Sequence, residues 1–526
     1  MKLNKLFIAG SVLAASMSLG SCVGDLDVQP TNPTQMTELT TKDQYIGLMM
    51  RAYGGLVMEG GISVDDGGAG VYTRQLFNQQ ELTTDECLIS GNWDDAGIDE
   101  LDYALPSPDN HWIYEMYSRI NYQIALCNNV ILTLNDDRAK EFFTDAELTE
   151  YKAEMRILRD LSYYHMIDLF GKGPWTTENS VVGEIPPTYN RTELFNAVVA
   201  DLTNAIENVN PAAQQEYGRV SREAGQALLA KLYLNAEVYT GTAMWQECAN
   251  VCKQITESIP NLAQTYKYLF CATNKKYVAC STYGTANGEI LWTVPQDQTT
   301  MQTYGGTTYL SGGAYANTSP LGVYGLQKDG WQGPHMRPET VNRFAPNDER
   351  ALFYAGEFQN DLFNIDKWGD PGDCGYQCIK YVYTPEDHYE LDPNNPDDKQ
   401  YMALDIFNSA DFPIFRLADI YLMLAECQLN GVACDGLNYY NKVRMRAGVD
   451  AVGYYSSQDL LDERNRELYW ECHRRSDLIR FGQYTGQNYV WQWKGGVQTG
   501  APIESFHSLM PIPTQFTSTL GQNPGY

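Results

Sequence analysis

Basic residues are scarce in this 526-residue chain: 37 Lys and Arg stand against 66 Asp and Glu, a formal charge of -29. So acidic a surface repels phosphate backbones, which excludes nucleic acid as a natural partner and argues against a polyanionic ligand. Histidine is scarcer still, with six scattered residues at 111, 165, 335, 388, 473 and 507. Beyond the N-terminus no stretch reaches the roughly eighteen apolar residues of a membrane-spanning helix. Catalytic signatures are missing too. There is no Gly-x-Ser-x-Gly elbow, no His-Glu-x-x-His and no phosphate loop. Gly67-Gly-Ala-Gly70 lacks the strand and helix that a dinucleotide-binding turn needs. A retaining glycosidase needs two carboxylates about 5 Å apart. Asp94 and Asp95 are sequence neighbours, and successive side chains of an extended chain point to opposite faces. The chain is therefore expected not to be an enzyme, with a glycoside hydrolase as the alternative that activity would reveal.

Twelve cysteines are present. If Cys22 is lipidated, an odd number remains and cannot all pair. Cys248/Cys252 sit at i, i+4 on a helical pattern, and Cys374/Cys378 lie in a Gly-rich stretch. Neither pair has further Cys or His at zinc-finger spacing, so no metal site is expected there. They read as small buried hydrophobes with at most one loop disulfide. The Asp- and Asn-rich run Asp392 to Asp398 offers oxygen ligands of the type calcium takes, but without EF-hand spacing. No cofactor is expected otherwise.

What is present begins at the N-terminus. Met1-Lys-Leu-Asn-Lys5 is cationic, and Leu6 to Leu19 is apolar or small, the order of a secretion signal. Leu19-Gly-Ser-Cys22 follows as a lipobox. Residues 1–21 are expected to be removed and Cys22 acylated, with 22–40 a polar, Pro-bearing tether. Loss of Lys2 and Lys5 leaves 35 bases and 66 acids, or -31.

Helical patterns dominate about 41–260 and 413–526. Gln44 to Met58, His111 to Leu134, Asn190 to Val209, Ser221 to Tyr239 and Met244 to Ile259 are predicted helices. Thr144-Asp-Ala-Glu147 is a capping box that opens another. That helix carries Arg156-Ile-Leu-Arg-Asp-Leu-Ser-Tyr-Tyr-His-Met-Ile-Asp-Leu-Phe-Gly171, with apolar residues at helical spacing and Gly171 as a left-handed stop. Arg156 and Arg159 fall among apolar neighbours and must find partners, because an unpaired buried charge is costly. Pro413 is placed at a first helical turn, Gly431 ends that helix, and Ser456 with Asp459 forms a further capping box. Ala227 to Ala236 and Arg416 to Glu426 both place Ala where helices approach closely, as in degenerate tetratricopeptide pairs. Between the two regions, about 261–412 is rich in Gly, Tyr, Asn, Asp and Pro. Ile290-Leu-Trp-Thr-Val294 is one of its few apolar runs. The expected architecture is an all-α, tetratricopeptide-like helical-pair scaffold with a loop-rich inserted lobe.

The helix ending at Gly171-Lys-Gly-Pro174 resembles the signature helix of the SusD/RagB family. Arg464-Asn-Arg-Glu-Leu-Tyr-Trp-Glu-Cys-His-Arg-Arg-Ser-Asp-Leu-Ile-Arg-Phe-Gly482 resembles a second family signature. Tyr489 to Gly496, Pro511-Ile-Pro513 and the terminal Asn523-Pro-Gly-Tyr526 also match. Within these signatures Arg474, Arg475, Asp477 and Arg480 read as structural ion pairs. The resemblance, strongest to the starch-binding member, implies one SusD-like domain over 41–526. It also implies an outer-membrane, cell-surface lipoprotein that captures glycan. Its partner would be a SusC-like TonB-dependent transporter.

Sugars are bound by flat aromatic faces together with planar hydrogen-bonding groups. Trp93 in Ser90-Gly-Asn-Trp-Asp-Asp95, Tyr304 in Tyr304-Gly-Gly-Thr-Thr-Tyr309 and Trp331 in Lys328-Asp-Gly-Trp331 are each flanked by turn residues, which favours the surface. The resemblance gives this trio the role of an arc cradling an α-glucan. It also gives Asp66 and Arg74 hydrogen bonds to sugar hydroxyls, and sets Asp94 and Asp95 where the family has an amide contact. A fructan, a host glycan or peptides are the alternative ligands.

Overall fold

A computed structural model describes residues 39–60, 69–89, 95–181, 183–315, 321–354 and 375–526. The signal segment, Cys22, Asp66, Trp93, Asp94 and Cys374 lie outside them. Residues 1–47 and 48–526 are two compact units. The described part of the first holds the start of the helix Lys42–Gly54. Among the described residues no helix is long and apolar enough to cross a membrane.

The fold is mostly helical and tetratricopeptide-like. His111–Asn135 packs on Asp145–His165, which packs on Arg191–Glu207; Arg222–Leu234 and Trp245–Ser258 continue the series. Trp245–Ser258 then packs against Leu417–Leu429, which is followed by Gly436–Arg446 and Ser457–Leu468. Helices far apart in sequence thus form one series, each burying the face its neighbour leaves open.

The helix boundaries have local causes. Thr144 Oγ1 accepts from the Glu147 amide at 3.2 Å, and Glu147 accepts from the Thr144 amide at 2.8 Å. Asn190/Glu193 and Ser456/Asp459 form the same reciprocal cap. These boxes satisfy amides that the first helical turn leaves without partners. Asp145–His165 continues through a wider turn over Met166–Phe170 and stops at Gly171, whose φ is 68°. Pro413 does not open a helix. Phe412–Arg416 is a strand, antiparallel to Ile290–Val294, with Ile290 opposite Arg416 and Val294 opposite Phe412. The buried apolar run 290–294 needs a pairing partner for its backbone, and an extended Pro413 satisfies that need with a φ it can adopt. The helix starts at Leu417 instead.

Buried ion pairs join these elements. Arg159 donates to Glu178 and Asp201, each at 2.7 Å, and Arg156 reaches Glu178 at 3.0 Å. Arg474 clamps Asp85 at 2.7 and 2.8 Å; Arg480 pairs with Asp477 and with Glu426. Arg475 departs from that pattern by donating to the carbonyls of His507 and Ser508. The largest cluster surrounds Arg416, which contacts Glu289 at 2.7 Å, Glu467 at 2.9 Å and Glu471 at 2.6 Å. Arg350, Arg446 and Lys380 complete it. Burial works to raise the Glu467 pKa, but Arg446, Arg416 and Arg350 outweigh it and hold the carboxyl at about 2. Glu81 and Glu86 form a different pair. Both are buried, and burial with their mutual repulsion raises Glu81 well above the usual carboxylate range. They accept from the backbone amides of His473 and Trp470, which gives them a role in the core.

Replacing Arg416→Met leaves three carboxylates without their shared cation and should destabilise the fold by about 3–5 kcal/mol in chemical denaturation. An unchanged midpoint would contradict the cluster's structural role. Asp411 is the opposite case. Burial pushes it up to about 7 despite hydrogen bonds from Tyr217 and the Gln296 amide. A carboxyl with a raised folded pKa stabilises fully below its unfolded value of about 3.9 and loses that contribution as pH rises through the folded value. Asp411→Asn should therefore gain thermal stability relative to the parent progressively between about pH 4 and pH 7 and keep a constant gain above that. A pH-independent difference in melting temperature would refute the assignment.

Candidate functional site

Tyr304 stands at the surface because the backbone on either side of it is held down. Thr303 donates through Oγ1 to the Val57 carbonyl at 2.9 Å, and the Tyr304 amide donates to Glu59 at 2.9 Å. Gly305 packs against Val71 so closely that a Cβ there would collide with it. The short helix Gly306–Leu310 follows, and its Thr307 hydroxyl is anchored on the Ala410 carbonyl at 2.6 Å. Tyr304 is 39% exposed.

Trp331 arrives by a different route. Its amide donates to the Gly312 carbonyl at 2.9 Å, and Gly333 donates to Gly313 at 2.7 Å. Gly330, just before it, lies against the Tyr315 carbonyl with no room for a side chain. The indole rests on a core of Tyr315, Leu326, Ile379, Tyr383, Ile406 and Phe407. The Tyr304 and Trp331 rings meet at 5.7 Å between centroids and 47° between planes. Phe407 joins them, 5.2 Å from Tyr304. Sequence reasoning missed Phe407. It lies about a hundred positions beyond Tyr304, in a run with no periodicity to mark it.

Arg74 and Asp95 come together at 3.1 Å; the arginine side chain is 7% exposed and the aspartate 26%. The Arg74 guanidinium also lies 4.4 Å over the Tyr309 ring and 5.9 Å over Trp112. Tyr309 belongs to the short helix Gly306–Leu310, which Tyr304 precedes in sequence. Tyr309 Oη is fixed by Asn78 at 3.0 Å. The predicted Asp66, Trp93 and Asp94 lie outside the described residues.

The other reactive groups are occupied elsewhere. His165 and His335 are buried, and burial lowers each to about 4. His473 is pushed down to about 3 by burial and the neighbouring Lys231. Asp392 and Asn395 accept backbone amides of their own turn, Asn394 at 2.9 Å and Asp397 at 3.1 Å. Among the described residues no group of three or more His, Cys, Asp or Glu is placed to hold a metal ion. Cys248 and Cys252 are buried free thiols 4.0 Å apart, and Cys378 is a buried free thiol. Tyr304 and Trp331 offer two tilted aromatic faces, and Arg74 with Asp95 a charged pair, groups of the kinds suited to stacking and to hydrogen bonding.

The chain is similar to several known proteins. Residues 394–526 match the model of the SusD family. The starch-binding protein SusD of Bacteroides thetaiotaomicron is 29% identical over 588 residues, covering 100% of this chain and 99% of that protein. The SusD-like protein P25 of Formosa agariphila is 28% identical, covering 75% of each. Among solved structures, surface glycan-binding protein A of Bacteroides thetaiotaomicron, in complex with laminarihexaose, superposes with a TM-score of 0.69. It shares 19% identity and covers 92% of this chain and 100% of its own.

The close approach at Gly330 is testable without a ligand. Gly330→Ala must displace the Tyr315 carbonyl or the Trp331 backbone, and should cost about 1–3 kcal/mol in chemical denaturation. A variant as stable as the parent would show that the Trp331 segment is not held in this way.

Proposed function

We propose, from its similarity to SusD-family proteins over the full chain, that it is a cell-surface glycan-binding protein of that family whose ligand is starch or a related α-glucan. The observation that carries this reading is the pair Tyr304 and Trp331, with Tyr304 exposed, both backbones pinned and their planes inclined by 47°. Inclined faces suit a chain that curves from one pyranose to the next, because successive C–H faces turn with it. A flat, ribbon-like polymer would favour coplanar rings. The full-length similarity to a starch-binding protein supports the same ligand.

In this reading Tyr304 and Trp331 stack on sugar rings. Arg74 and Asp95 supply donor and acceptor at the rim, with Asp66, Trp93 and Asp94 completing the cradle. Binding involves no covalent step. Each hydroxyl exchanges water for protein at little net gain, so affinity is modest per sugar and accumulates along the chain. Acylation at Cys22 would hold the protein at the outer membrane, where it would hand oligosaccharides to a SusC-like TonB-dependent transporter.

The test is affinity electrophoresis. The protein should be retarded in gels containing amylopectin and run freely in inulin or mucin. Tyr304→Ala combined with Trp331→Ala should weaken amylopectin binding at least about tenfold. Retardation undiminished in the double variant would remove the proposed cradle. Shortened products after incubation with maltoheptaose would overturn the non-catalytic assignment.

A further inference from the structure

A second concavity has Phe407 in its lining. It encloses about 420 Å³, within the range of about 300–1,000 Å³ typical of small-molecule sites. Gln298, Gln302 and Gln400 bring three carboxamides to its walls, and Phe407 and Leu404 supply apolar surface. Phe407 is shared: it lies in this cleft and also 5.2 Å from the Tyr304 ring. Phe407 is therefore common to the cleft and to the ring cluster.

The walls are built on restrained backbone. Asp297 Oδ1 accepts from the Thr299 amide at 2.8 Å and the Thr300 amide at 2.7 Å, which closes the turn that carries Gln298 and Gln302. The Gln298 amide is tied to Ser409 at 3.1 Å, next to the Phe407 segment. Asp405, the carboxylate of the cleft, is paired with Lys328 at 2.7 Å and accepts from the Ile406 amide at 2.7 Å. Its charge is thereby compensated, which leaves Lys399 as a cation at the edge. Leu404 is 86% exposed, a large apolar side chain at the mouth with solvent around it.

Carboxamides both donate and accept, which suits vicinal hydroxyls better than carboxylates or phosphates. An apolar wall beside them suits the C–H face of a pyranose. Resting on the reading of Tyr304 and Trp331 as a glycan cradle, we infer that this cleft is an extension subsite. It takes the sugar residues that follow those stacked on the two rings. Gln302 and Gln400 hydrogen-bond their hydroxyls, and Phe407 with Leu404 covers one sugar face. The cleft makes the protein select for chain length: short oligosaccharides fill the ring pair, and longer ones gain the second set of contacts.

Calorimetric titration with maltotriose and with maltoheptaose tests this. The parent should bind maltoheptaose about tenfold or more tightly than maltotriose. The double variant Gln302→Ala/Gln400→Ala alters two exposed side chains and should keep the parent's maltotriose affinity. Its maltoheptaose affinity should fall about tenfold. Equal loss for both sugars, or no loss for either, overturns the subsite while leaving the cradle in place. Absence of any maltooligosaccharide binding by the parent overturns the cradle, and the subsite falls with it.

Discussion

Several arginines that the chain buries can keep their charge only because carboxylates from distant segments converge on them. Arg416 gathers Glu289, Glu467 and Glu471. Arg446 and Arg350 add to Glu467, and Lys380 adds to Glu471. Two buried charges with imperfect geometry would cost more in lost hydration than their attraction returns. Here several cations share several anions at hydrogen-bond distances, and Glu467 is held ionised at about 2. Glu289 immediately precedes the strand 290–294, Arg416 ends the strand 412–416, and Glu467 and Glu471 lie in or just after the helix Ser457–Leu468. The cluster therefore joins the irregular middle of the chain to the C-terminal helices.

That junction positions the surface on which function is proposed. The segment from Phe407 to Arg416 leads from the aromatic platform directly into the strand pair and the arginine cluster. Asn274 accepts from the Asp411 amide and donates to its carbonyl, and the Thr307 hydroxyl is anchored on the Ala410 carbonyl. Tyr304 and Trp331 lie in segments with little regular structure, yet each is pinned by backbone hydrogen bonds and by a glycine with no space around it. An aromatic surface held in place in this way orders little on binding, so less of the contact energy is lost to conformational entropy.

Much of the scaffold was legible residue by residue. Thr144 and Glu147, Asn190 and Glu193, and Ser456 and Asp459 cap where their spacing places them, because a capping box is a contact between residues three apart. Gly171 and Gly431 stop their helices in left-handed conformations for an equally local reason. The need of Arg159 for partners was legible; the identity of Glu178 and Asp201 was not, since neither lies at helical spacing from it. Pro413 was misread because the stripe from Ile414 to Ala425 has helical periodicity, whereas the competing strand partner lies more than a hundred residues earlier. Arg475 resembled its charged neighbours in sequence but meets backbone carbonyls. The candidate site divides the same way. Turn-flanked Tyr304 and Trp331 could be picked out as surface aromatics. Phe407 could not, because only packing brings it to the Tyr304 ring.

The sequence by itself determined the helical segments, their caps and stops, the acidic surface and the aromatic residues set in turns. These depend on contacts within a few positions or on composition alone. Only the tertiary structure decided which carboxylates compensate which arginines, that Tyr304, Trp331 and Phe407 share one platform, and that Arg74 faces Asp95 over the Tyr309 ring. Those pairings span tens to hundreds of residues, and no local propensity records them. They arise when the chain, closing on itself, must give every buried charge and every large ring a neighbour.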